Sequence, residues 1–261
     1  MRHERRNDII RKIEKSKTIR VRDLINEYKV SIETIRDDLA FLEQKGCLKR
    51  VYGGAIIKEY YSIIELENRQ RSQINHKEKQ AIGKKAASLI NDGDSVFIYY
   101  GTTTIEVVKH LKDKKNLIII TNAVLIAQEL KKFSTGINEW KIILLGGELR
   151  ETELTLYGDI TMNNFKRFNV AKALVGVGGI DLKTGITDYY FEEANFHRAV
   201  IKRANTVIAL ADHAKFGRTT LNQLCHIRDL DIIVTDWHVP QDVVMKYQDL
   251  GVTVYNAPEE K

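Results

Sequence analysis

In the first 58 residues, apolar side chains recur at intervals of three and four positions, which is the period of an amphipathic helix. The three stripes are Ile9, Ile10 and Ile13, then Leu24, Ile25 and Tyr28, and finally Ile35, Leu39 and Leu42. Only Lys29-Val30-Ser31 lies between the second and third predicted helices, and serine at position 31 favours a helix N-cap. Two short helices joined by so tight a turn predict a helix-turn-helix.

A short basic hairpin is predicted after the third helix. Gly46 suits the end of that helix, and the segment CLKRVYGGAIIK that follows places apolar residues on both sides of Gly53-Gly54. Its basic residues are Lys49, Arg50 and Lys58. A basic hairpin after a helix-turn-helix predicts a wing that contacts phosphates beside a DNA groove. The alternative is any small helical domain that carries a hairpin.

From residue 77 onward the pattern changes to short, continuous apolar runs separated by helical patterns such as NAVLIAQELKKF and FEEANFHRAVIKRA. Buried strands alternating with helices predict an α/β domain with a doubly covered, mostly parallel sheet. In such a sheet, ligands bind beyond the carboxyl ends of the strands. The six predicted strands are Val96–Tyr100, Leu117–Ile120, Ile142–Leu145, Ala173–Val177, Val207–Leu210 and Ile232–Val234.

Small or polar residues follow the predicted strands. Turn chemistry explains the glycines, whereas threonines, an asparagine, an aspartate and a lysine near one edge of a sheet favour a binding site. These residues are Gly101, Thr102, Thr103 and Thr104 after the first strand, Thr121 and Asn122 after the second, Gly178, Gly179 and Asp181 after the fourth, and Lys215 after the fifth.

The stretch GTTT at residues 101–104 has the chemistry of an anion site. Gly101 allows close backbone approach, and the amides of Thr102 to Thr104 open a predicted helix whose N-terminus favours an anion. Lys215 supplies a point charge suited to phosphate. The alternative is a turn that only caps the helix.

The net charge of +6 lies in the same segment as the predicted helix-turn-helix. Residues 1–58 contain 15 Lys and Arg against 9 Asp and Glu, a difference of +6, and the remaining residues hold 26 of each. A basic block on a small folded unit indicates a polyanionic partner. Charge alone leaves a solvated basic face equally open.

The segment SIETIRDDLAFLEQKGCLKRVYGGAI resembles the DeoR-type winged helix of bacterial transcription regulators. Those proteins commonly carry TIRRDL, so Asp37 stands here in place of the second arginine; it could accept from a cytosine amino group or pair with a neighbouring arginine. Side chains expected at base edges are Ser31, Glu33, Thr34, Arg36 and Asp37, and those expected at phosphates are Arg22, Lys49, Arg50 and Tyr52.

Seven motifs of the second domain resemble, in order, the effector domain of the same family: DGDSVFIYYGTTT, IITNA, LLGGELR, GVGGID, GIT, EEA and ADHAKFG. That domain is related to the sugar-phosphate isomerase and CoA-transferase fold. The resemblance covers about residues 3–236 and implies a phosphorylated sugar or polyol as effector. Gly101 to Thr104 and Lys215 would hold its phosphate, and Asp181 and Glu193 would face the sugar. After EEA the family often has Lys-Arg, where this chain has NFHR. His197 is expected on the helix surface, and the alternative is that it changes ligand contacts or the response to pH.

The family resemblance implies a repressor of a sugar or polyol catabolic operon that binds double-stranded operator DNA, is released by its effector, and has neither enzymatic activity nor a cofactor. One alternative is an isomerase-like enzyme fused to a DNA-binding domain. It would draw on Asp181, Asp188, Glu192, Glu193 and Asp212 for proton transfer. The other is an architectural DNA-binding protein whose second domain only forms oligomers. No Walker A, HExxH or GxSxG motif is present, and no histidines have metal-binding spacing.

Residues 1–58 are thus predicted as the DNA-binding domain, 59–76 as a connector without Pro or Gly, and 77–261 as the effector-binding and oligomerisation domain. No stretch approaches the roughly 20 apolar residues of a membrane span. The N-terminus lacks the apolar centre of a secretory signal, and the two cysteines, Cys47 and Cys225, form no CxxC pair. We expect a cytoplasmic homo-oligomer, dimer or tetramer, since operators that repeat or are palindromic require one.

Overall fold

The computed structural model describes residues 2–16, 18–44, 47–57 and 68–259. The chain divides into two compact units, Met1–Ile74 and Asn75–Lys261. The predicted helix stop at Gly46, the basic side chain of Lys58 and residues 59–67 of the predicted connector lie outside the described residues.

The first unit contains the three predicted helices and the predicted hairpin, which are confirmed. Its core is formed by residues of the three predicted stripes, among them Ile9, Leu24 and Ile35. Its described elements are α1 (Arg2–Ser16), β1 (Thr18–Arg20), α2 (Val21–Tyr28), α3 (Ile32–Gln44), β2 (Leu48–Val51), β3 (Gly54–Ile57) and α4 (Asn68–Gln73).

A third strand, β1, pairs with β3 and was not predicted; the strand order is β1-β3-β2. It is only three residues long, too short to carry a period of its own. The hairpin turn is at Tyr52-Gly53 rather than Gly53-Gly54, and Gly53 has a φ of 77°. Gly54 belongs to β3, where a Cβ atom would lie 2.1 Å from the carbonyl oxygen of Ile19. Glycine at position 54 therefore allows β1 to join the sheet.

The second unit is built on a parallel sheet of seven strands in the order β15-β14-β12-β9-β4-β5-β6. All six predicted strands are present, and β15 is a seventh that was not predicted. The strands of this sheet are β4 (Ser95–Ile98), β5 (Ile118–Thr121), β6 (Lys141–Leu144), β9 (Val170–Gly176), β12 (Ala204–Leu210), β14 (Ile232–Asp236) and β15 (Thr253–Ala257).

Helices and two small antiparallel sheets complete the second unit. The small sheets pair β7 with β8, and β11 with both β10 and β13. Their strands are β7 (Glu148–Arg150), β8 (Thr155–Tyr157), β10 (Gly179–Asp181), β11 (Gly185–Asp188) and β13 (Asn222–Cys225). The α-helices are α5 (His76–Ser88), α6 (Thr104–Val108), α7 (Val124–Phe133), α8 (Gly158–Phe165), α9 (Phe191–Arg203) and α10 (Gln241–Gln248).

The direction of chain progression through the large sheet reverses at β4. From β4 the chain adds β5 and β6 on one side, and it later adds β9, β12, β14 and β15 on the other. The boundary between β4 and β9 is a topological switch point, where connections on either side diverge and leave a crevice at the carboxyl ends of the strands. Gly101 to Thr103 lie in the loop after β4 and Gly178 lies in the loop after β9, and Thr104 and Gly179 begin the elements that follow.

Candidate functional site

The first unit presents a polar helix face at the start of α3. Ser31 caps this helix, because its Oγ accepts from the backbone N–H of Thr34 at 3.2 Å. Lys29 ends α2 in a left-handed conformation with a φ of 52°, which makes the turn between the two helices tight. Of the five side chains predicted at base edges, Thr34 is half-buried and the others are exposed; these are Ser31, Glu33, Arg36 and Asp37.

The neighbouring Asp38 has a different role, which the sequence did not reveal. It is fully buried, and its two carboxylate oxygens accept from the Nε atoms of Arg5 and Arg6, each at 2.6 Å. The guanidinium group of Arg6 also lies 3.9 Å from the centre of the Phe41 ring. The spacing could have predicted this burial, because position 38 lies three residues after Ile35 and four before Leu42, which are both buried. Two charges of the basic block therefore join α1 to α3.

The basic residues of the hairpin are partly engaged by an acidic side chain of α3. The Nε atom of Arg50 donates to Glu43 Oε2 at 2.8 Å, and Lys49 Nζ lies 3.4 Å from Oε1 of the same carboxylate. Tyr52 at the turn is 57% exposed, and Arg22 is exposed as well. The predicted phosphate contacts are thus at the surface, with Glu43 as an internal competitor for two of them.

In the second unit, the turn after β4 is braced by its own hydrogen bonds. The hydroxyl of Thr104 donates to the carbonyl of Gly101 at 3.0 Å, and the N–H of Ile105 donates to the same oxygen at 3.2 Å. Thr102 and Thr103 lie at the crevice and are 8% and 7% exposed. The hydroxyl of Thr104 serves the turn itself, which leaves Thr102 and Thr103 as the hydroxyl groups available to an anion.

The helix predicted after this turn is shorter than expected. It spans only Thr104–Val108, five residues, because its last turn tightens to hydrogen bonds from His110 to Val107 and from Leu111 to Val108. A helix this short contributes little macrodipole. The backbone amides of the turn, rather than the dipole of a long helix, are the groups that an anion would meet.

Of the two predicted site residues at the end of β5, Thr121 braces the strand end and Asn122 has an acceptor atom without a hydrogen-bond partner among the described residues. The hydroxyl of Thr121 donates to the carbonyl of Ile98 at 2.7 Å and accepts from the N–H of Ala123, so it holds the strand end together. Asn122 is fully buried, and its Nδ2 donates to the carbonyl of Leu156 at 3.0 Å. Among the described residues, no partner satisfies Asn122 Oδ1.

The glycines after β9 allow close packing. A Cβ atom on Gly179 would lie 2.3 Å from the carbonyl oxygen of Arg218, and one on Gly178 would lie 3.0 Å from that of Thr187. Asp181 lies at the other end of β10, about 7 Å from Gly179 along the strand. Its Oδ1 accepts from the N–H groups of Thr184 and Lys183, and these hydrogen bonds hold the pKa of Asp181 below its ordinary value. Asp181 thus braces the turn between β10 and β11.

Glu193, on the first turn of α9, is buried in a polar cluster. Its Oε1 accepts from the hydroxyl of Thr155 at 2.5 Å, and its Oε2 accepts from Arg150 at 3.3 Å. Burial raises the pKa of Glu193 to about 7, and the charge of Asp188 adds to the rise, whereas Thr155, Arg150 and the Tyr100 side chain oppose it. Sequence reasoning found Glu193 but missed Arg150 and Thr155, which come from the β7–β8 hairpin.

The expectation that His197 lies on the helix surface is wrong. His197 is fully buried, with its ring stacked on Tyr99 at a centroid distance of 3.9 Å, and its Nδ1 lies 3.3 Å from Asp188 Oδ2. Its position one turn after Glu193 places both side chains on the inner face of α9. His197 Nε2 has no hydrogen-bond partner within the part of the chain that the structure describes.

Lys215 lies on a short 3-10 helix after β12, spanning His213–Lys215, and its side chain is half-buried. Asp212 begins this helix, with its Oδ1 accepting from the N–H of Ala214. Asp236, at the end of β14, is fully buried and accepts from the N–H groups of His213 and His238. These two aspartates position the loop that carries Lys215.

Lys215 lies at the same sheet edge as the GTTT turn, because all seven strands are parallel. β12 is separated from β4 by β9 alone, so the two strand ends are about 10 Å apart. Among the described residues, no group of three or more His, Cys, Asp or Glu side chains is arranged to hold a metal ion. None of the described helices is long and apolar enough to cross a membrane.

Two family models match the chain. The DeoR-like helix-turn-helix domain matches residues 5–60, and the DeoR C terminal sensor domain matches residues 74–237. A putative aga operon transcriptional repressor of Escherichia coli O157:H7 is 31% identical over 252 residues, covering 96% of this chain and 92% of the relative. The glycerol-3-phosphate regulon repressor of Escherichia coli K12 is 30% identical over 246 residues, covering 94% and 95%.

Among solved structures, ribose 5-phosphate isomerase A of Neisseria gonorrhoeae is similar with a TM-score of 0.40 and 12% identity. That match covers 59% of this chain and 56% of the isomerase chain.

Proposed function

The chain belongs to the DeoR family of transcriptional regulators, and we propose that it represses a sugar or polyol catabolic operon until a phosphorylated sugar or polyol binds its second unit. The observation that carries this proposal is the pairing of a capped, exposed recognition helix with a sheet crevice that gathers phosphate-binding chemistry. The relatives named above are repressors, of an aga operon and of a glycerol-3-phosphate regulon. The buried carboxyl of Glu193 is therefore assigned to binding rather than to turnover.

The DNA partner is a double-stranded operator. The start of α3 enters the major groove and offers Ser31, Glu33, Thr34, Arg36 and Asp37 to base edges. Exposed aspartate at position 37 accepts from a cytosine amino group, a contact that arginine at that position could not make. The backbone phosphates are contacted by Arg22, Lys49, Arg50 and Tyr52.

The effector lies along the crevice between β4 and β9. Thr102, Thr103, the amides after Gly101, and Lys215 hold the phosphate. Asn122 and Glu193 accept hydrogen bonds from sugar hydroxyls. The remaining members of the predicted site shape the crevice by bracing its loops; they are Thr104, Thr121, Gly178, Gly179 and Asp181.

Repression and release are coupled through a homo-oligomer. A two-fold symmetric dimer, or a tetramer built from dimers, presents two winged helices to the half-sites of an operator. We assign residues 1–58 to DNA binding, 59–76 to the connector and 77–261 to effector binding and oligomerisation. The effector acts by binding one arrangement of the oligomer more tightly than the other, with a coupling free energy of about 1–3 kcal/mol.

A panel of phosphorylated sugars tests this function in two steps, first by thermal shift and then by operator binding in the presence of each hit. A hit that weakens operator binding supports the proposal. A protein that binds operator DNA and responds to no sugar phosphate would instead be architectural. Measurable turnover of a hexose or pentose phosphate that is lost in Glu193→Gln would identify an enzyme.

Lys215→Ala tests the phosphate assignment. The substitution removes the cation at the crevice, so the thermal shift with the hit should disappear while operator binding stays intact. Lys131→Ala, an exposed lysine on α7, is the matched control and should retain the shift. An unchanged shift in Lys215→Ala would show that the phosphate lies elsewhere.

A further inference from the structure

Two buried side-chain atoms next to the proposed phosphate site have no hydrogen-bond partner among the described residues: His197 Nε2 and Asn122 Oδ1. Both side chains are 0% exposed. A buried polar atom without a partner is costly, and native proteins retain few of them. Two such atoms in one region indicate a ligand that supplies the missing hydrogen bonds.

Hydrogen bonds and a ring contact connect both side chains to one polar cluster. His197 stacks on Tyr99, which precedes Tyr100 and the GTTT turn directly. Asn122 accepts at its backbone carbonyl from the N–H of Leu156 at 2.7 Å, and the adjacent Thr155 donates to Glu193. Tyr99 follows β4 and Asn122 follows the neighbouring strand β5, so both side chains lie near the strand ends from which the GTTT turn begins.

Hydrogen-bond geometry assigns donor and acceptor roles in this cluster. His197 Nδ1 lies 3.3 Å from Asp188 Oδ2, and an ionised carboxylate only accepts, so the tautomer with its proton on Nδ1 fits this contact and leaves Nε2 as an acceptor. Asn122 Nδ2 donates to Leu156, which leaves Oδ1 as an acceptor as well. The carboxyl group of Glu193, whose pKa is raised to about 7, accepts from the guanidinium of Arg150 at 3.3 Å. The two side-chain atoms left for a ligand, His197 Nε2 and Asn122 Oδ1, are thus acceptors.

We propose that His197, held by Asp188, and Asn122 form a hydroxyl-binding subsite that selects an uncharged polyol chain on the phosphorylated effector. Hydroxyl groups of the ligand donate to Nε2 and Oδ1. A carboxylate at this end of a ligand can only accept hydrogen bonds, and it would face two atoms that also only accept. The subsite therefore rejects phosphorylated sugar acids. This inference rests on the proposed function, because it assumes that the phosphate binds at the GTTT turn and Lys215.

The proposed subsite also gives a role to His197, the residue at which this chain departs from the family pattern. A lysine or arginine at position 197 would donate rather than accept and would bring a positive charge. Histidine with its proton on Nδ1 accepts at Nε2 instead, while its ring remains stacked on Tyr99. His197 is thus a specificity-determining residue, and its effect should depend on which ligand is offered.

Calorimetry on the full chain tests the proposal with four probes: inorganic phosphate, glycerol 3-phosphate, D-sorbitol 6-phosphate and 6-phosphogluconate. The last two have the same carbon chain length and differ by a carboxylate. Wild-type protein should bind D-sorbitol 6-phosphate about tenfold more tightly than either inorganic phosphate or 6-phosphogluconate. His197→Phe keeps an aromatic ring against Tyr99. In this variant the preference for D-sorbitol 6-phosphate over inorganic phosphate should fall about tenfold, while the affinity for inorganic phosphate stays within about twofold of wild type.

His76→Phe, at an exposed histidine on α5, is the control for the substitution itself and should keep the wild-type preferences. Any one of three results would overturn the subsite alone. The wild type could bind 6-phosphogluconate and D-sorbitol 6-phosphate equally, or bind neither polyol phosphate more tightly than inorganic phosphate. His197→Phe could also keep the wild-type preference. Failure of all four probes to bind the wild type would overturn the proposed function with it.

A second measurement decides the question if His197→Phe does not fold. In wild-type protein with ¹⁵N-labelled histidines, D-sorbitol 6-phosphate should shift the Nε2 resonance of a stacked, non-exchanging ring, whereas inorganic phosphate should leave it in place. Identical histidine spectra with the two probes would contradict a hydroxyl contact at Nε2.

Discussion

Two adjacent aspartates on α3 have opposite surroundings because successive helical positions point about 100° apart. Asp38 is buried between Arg5 and Arg6, whereas Asp37 is exposed on the face assigned to the operator. Removing one partner of a buried ion pair leaves the other charge uncompensated, and that loss costs about 3–5 kcal/mol.

Asp38→Asn should therefore lower the free energy of unfolding of the first unit by about 3 kcal/mol. Asp37→Asn removes the same charge one residue away and should leave stability within about 0.5 kcal/mol. Its effect should appear in operator binding, as relaxed discrimination at one base pair. Urea unfolding of the full chain, monitored in the first unit, and binding to operator variants measure the two effects; equal destabilisation by both substitutions would refute the buried role of Asp38.

Glu193 gives the second unit a pH-dependent stability. Its pKa is raised from 4.5 to about 7, so the folded chain binds this proton more tightly than the unfolded chain does. The stabilising effect is complete below pH 4.5 and is lost as the pH rises through 7. The full loss is on the order of 3 kcal/mol.

Glu193→Gln should abolish the decline in the free energy of unfolding with rising pH. The stability of this variant relative to wild type should therefore increase between pH 5 and pH 8. Urea unfolding at the two pH values measures it. Glu192→Gln, at the exposed neighbouring position, is the control and should decline as the wild type does. A wild-type decline that persists in Glu193→Gln would assign the titration to another group.

At the scale of elements, the wing is restrained by α3. Glu43 holds Arg50 and lies near Lys49. In the proposed complex, DNA would have to displace Glu43 before either basic side chain could neutralise a phosphate. Glu43→Gln should bind non-specific duplex DNA about threefold more tightly at low salt and steepen the log–log salt dependence by about one.

Glu27→Gln removes an equal charge from α2, where Glu27 pairs with Lys12, and isolates the effect of releasing the wing. Fluorescence anisotropy with a labelled duplex across a salt series compares the two. Equal gains from both substitutions would mean that net charge alone, and not the restraint on Arg50, controls binding.

Elements with a strong period were predicted from the sequence, and elements defined by distant partners were not. Three amphipathic helices and six buried strands carry enough apolar positions to be recognised singly. β1 has three residues and exists because Gly54 lets it approach β3, and β15 alternates in burial as an edge strand. β1 is too short to show a period, and the alternation of β15 is a weaker signal than a continuous apolar run.

The candidate site divides in the same way. The GTTT turn, Asn122 and Lys215 follow strands, so the order of strands was enough to predict that they share an edge. Thr155 and Arg150 contact Glu193 across 38 and 43 residues, and such pairings arise only from the packing of the β7–β8 hairpin on α9. The burial of His197 likewise follows from its stacking on Tyr99.

At the scale of the whole molecule, the proposed release of operator DNA by an effector would require, by linkage, that each ligand weaken the binding of the other equally. A coupling of 1–3 kcal/mol means that the effector lowers operator affinity about 5- to 150-fold and that saturating operator lowers effector affinity by the same factor. Calorimetry of the effector with and without operator DNA, beside anisotropy of operator with and without effector, measures both factors. Unequal factors would show that the two ligands do not act on one equilibrium.

The seam between β4 and β9 also sets the order in which the sheet is completed. Ser95 and Ala171, joined by a hydrogen bond across this seam, are 76 residues apart. Closing so long a loop is slow compared with pairing β4 and β5, so the central pairing of the sheet forms late in folding. Contacts formed after the rate-limiting barrier act mainly on unfolding. An effector bound across the seam would thus lengthen the lifetime of the native sheet and leave its refolding rate nearly unchanged, a difference that stopped-flow unfolding and refolding would measure.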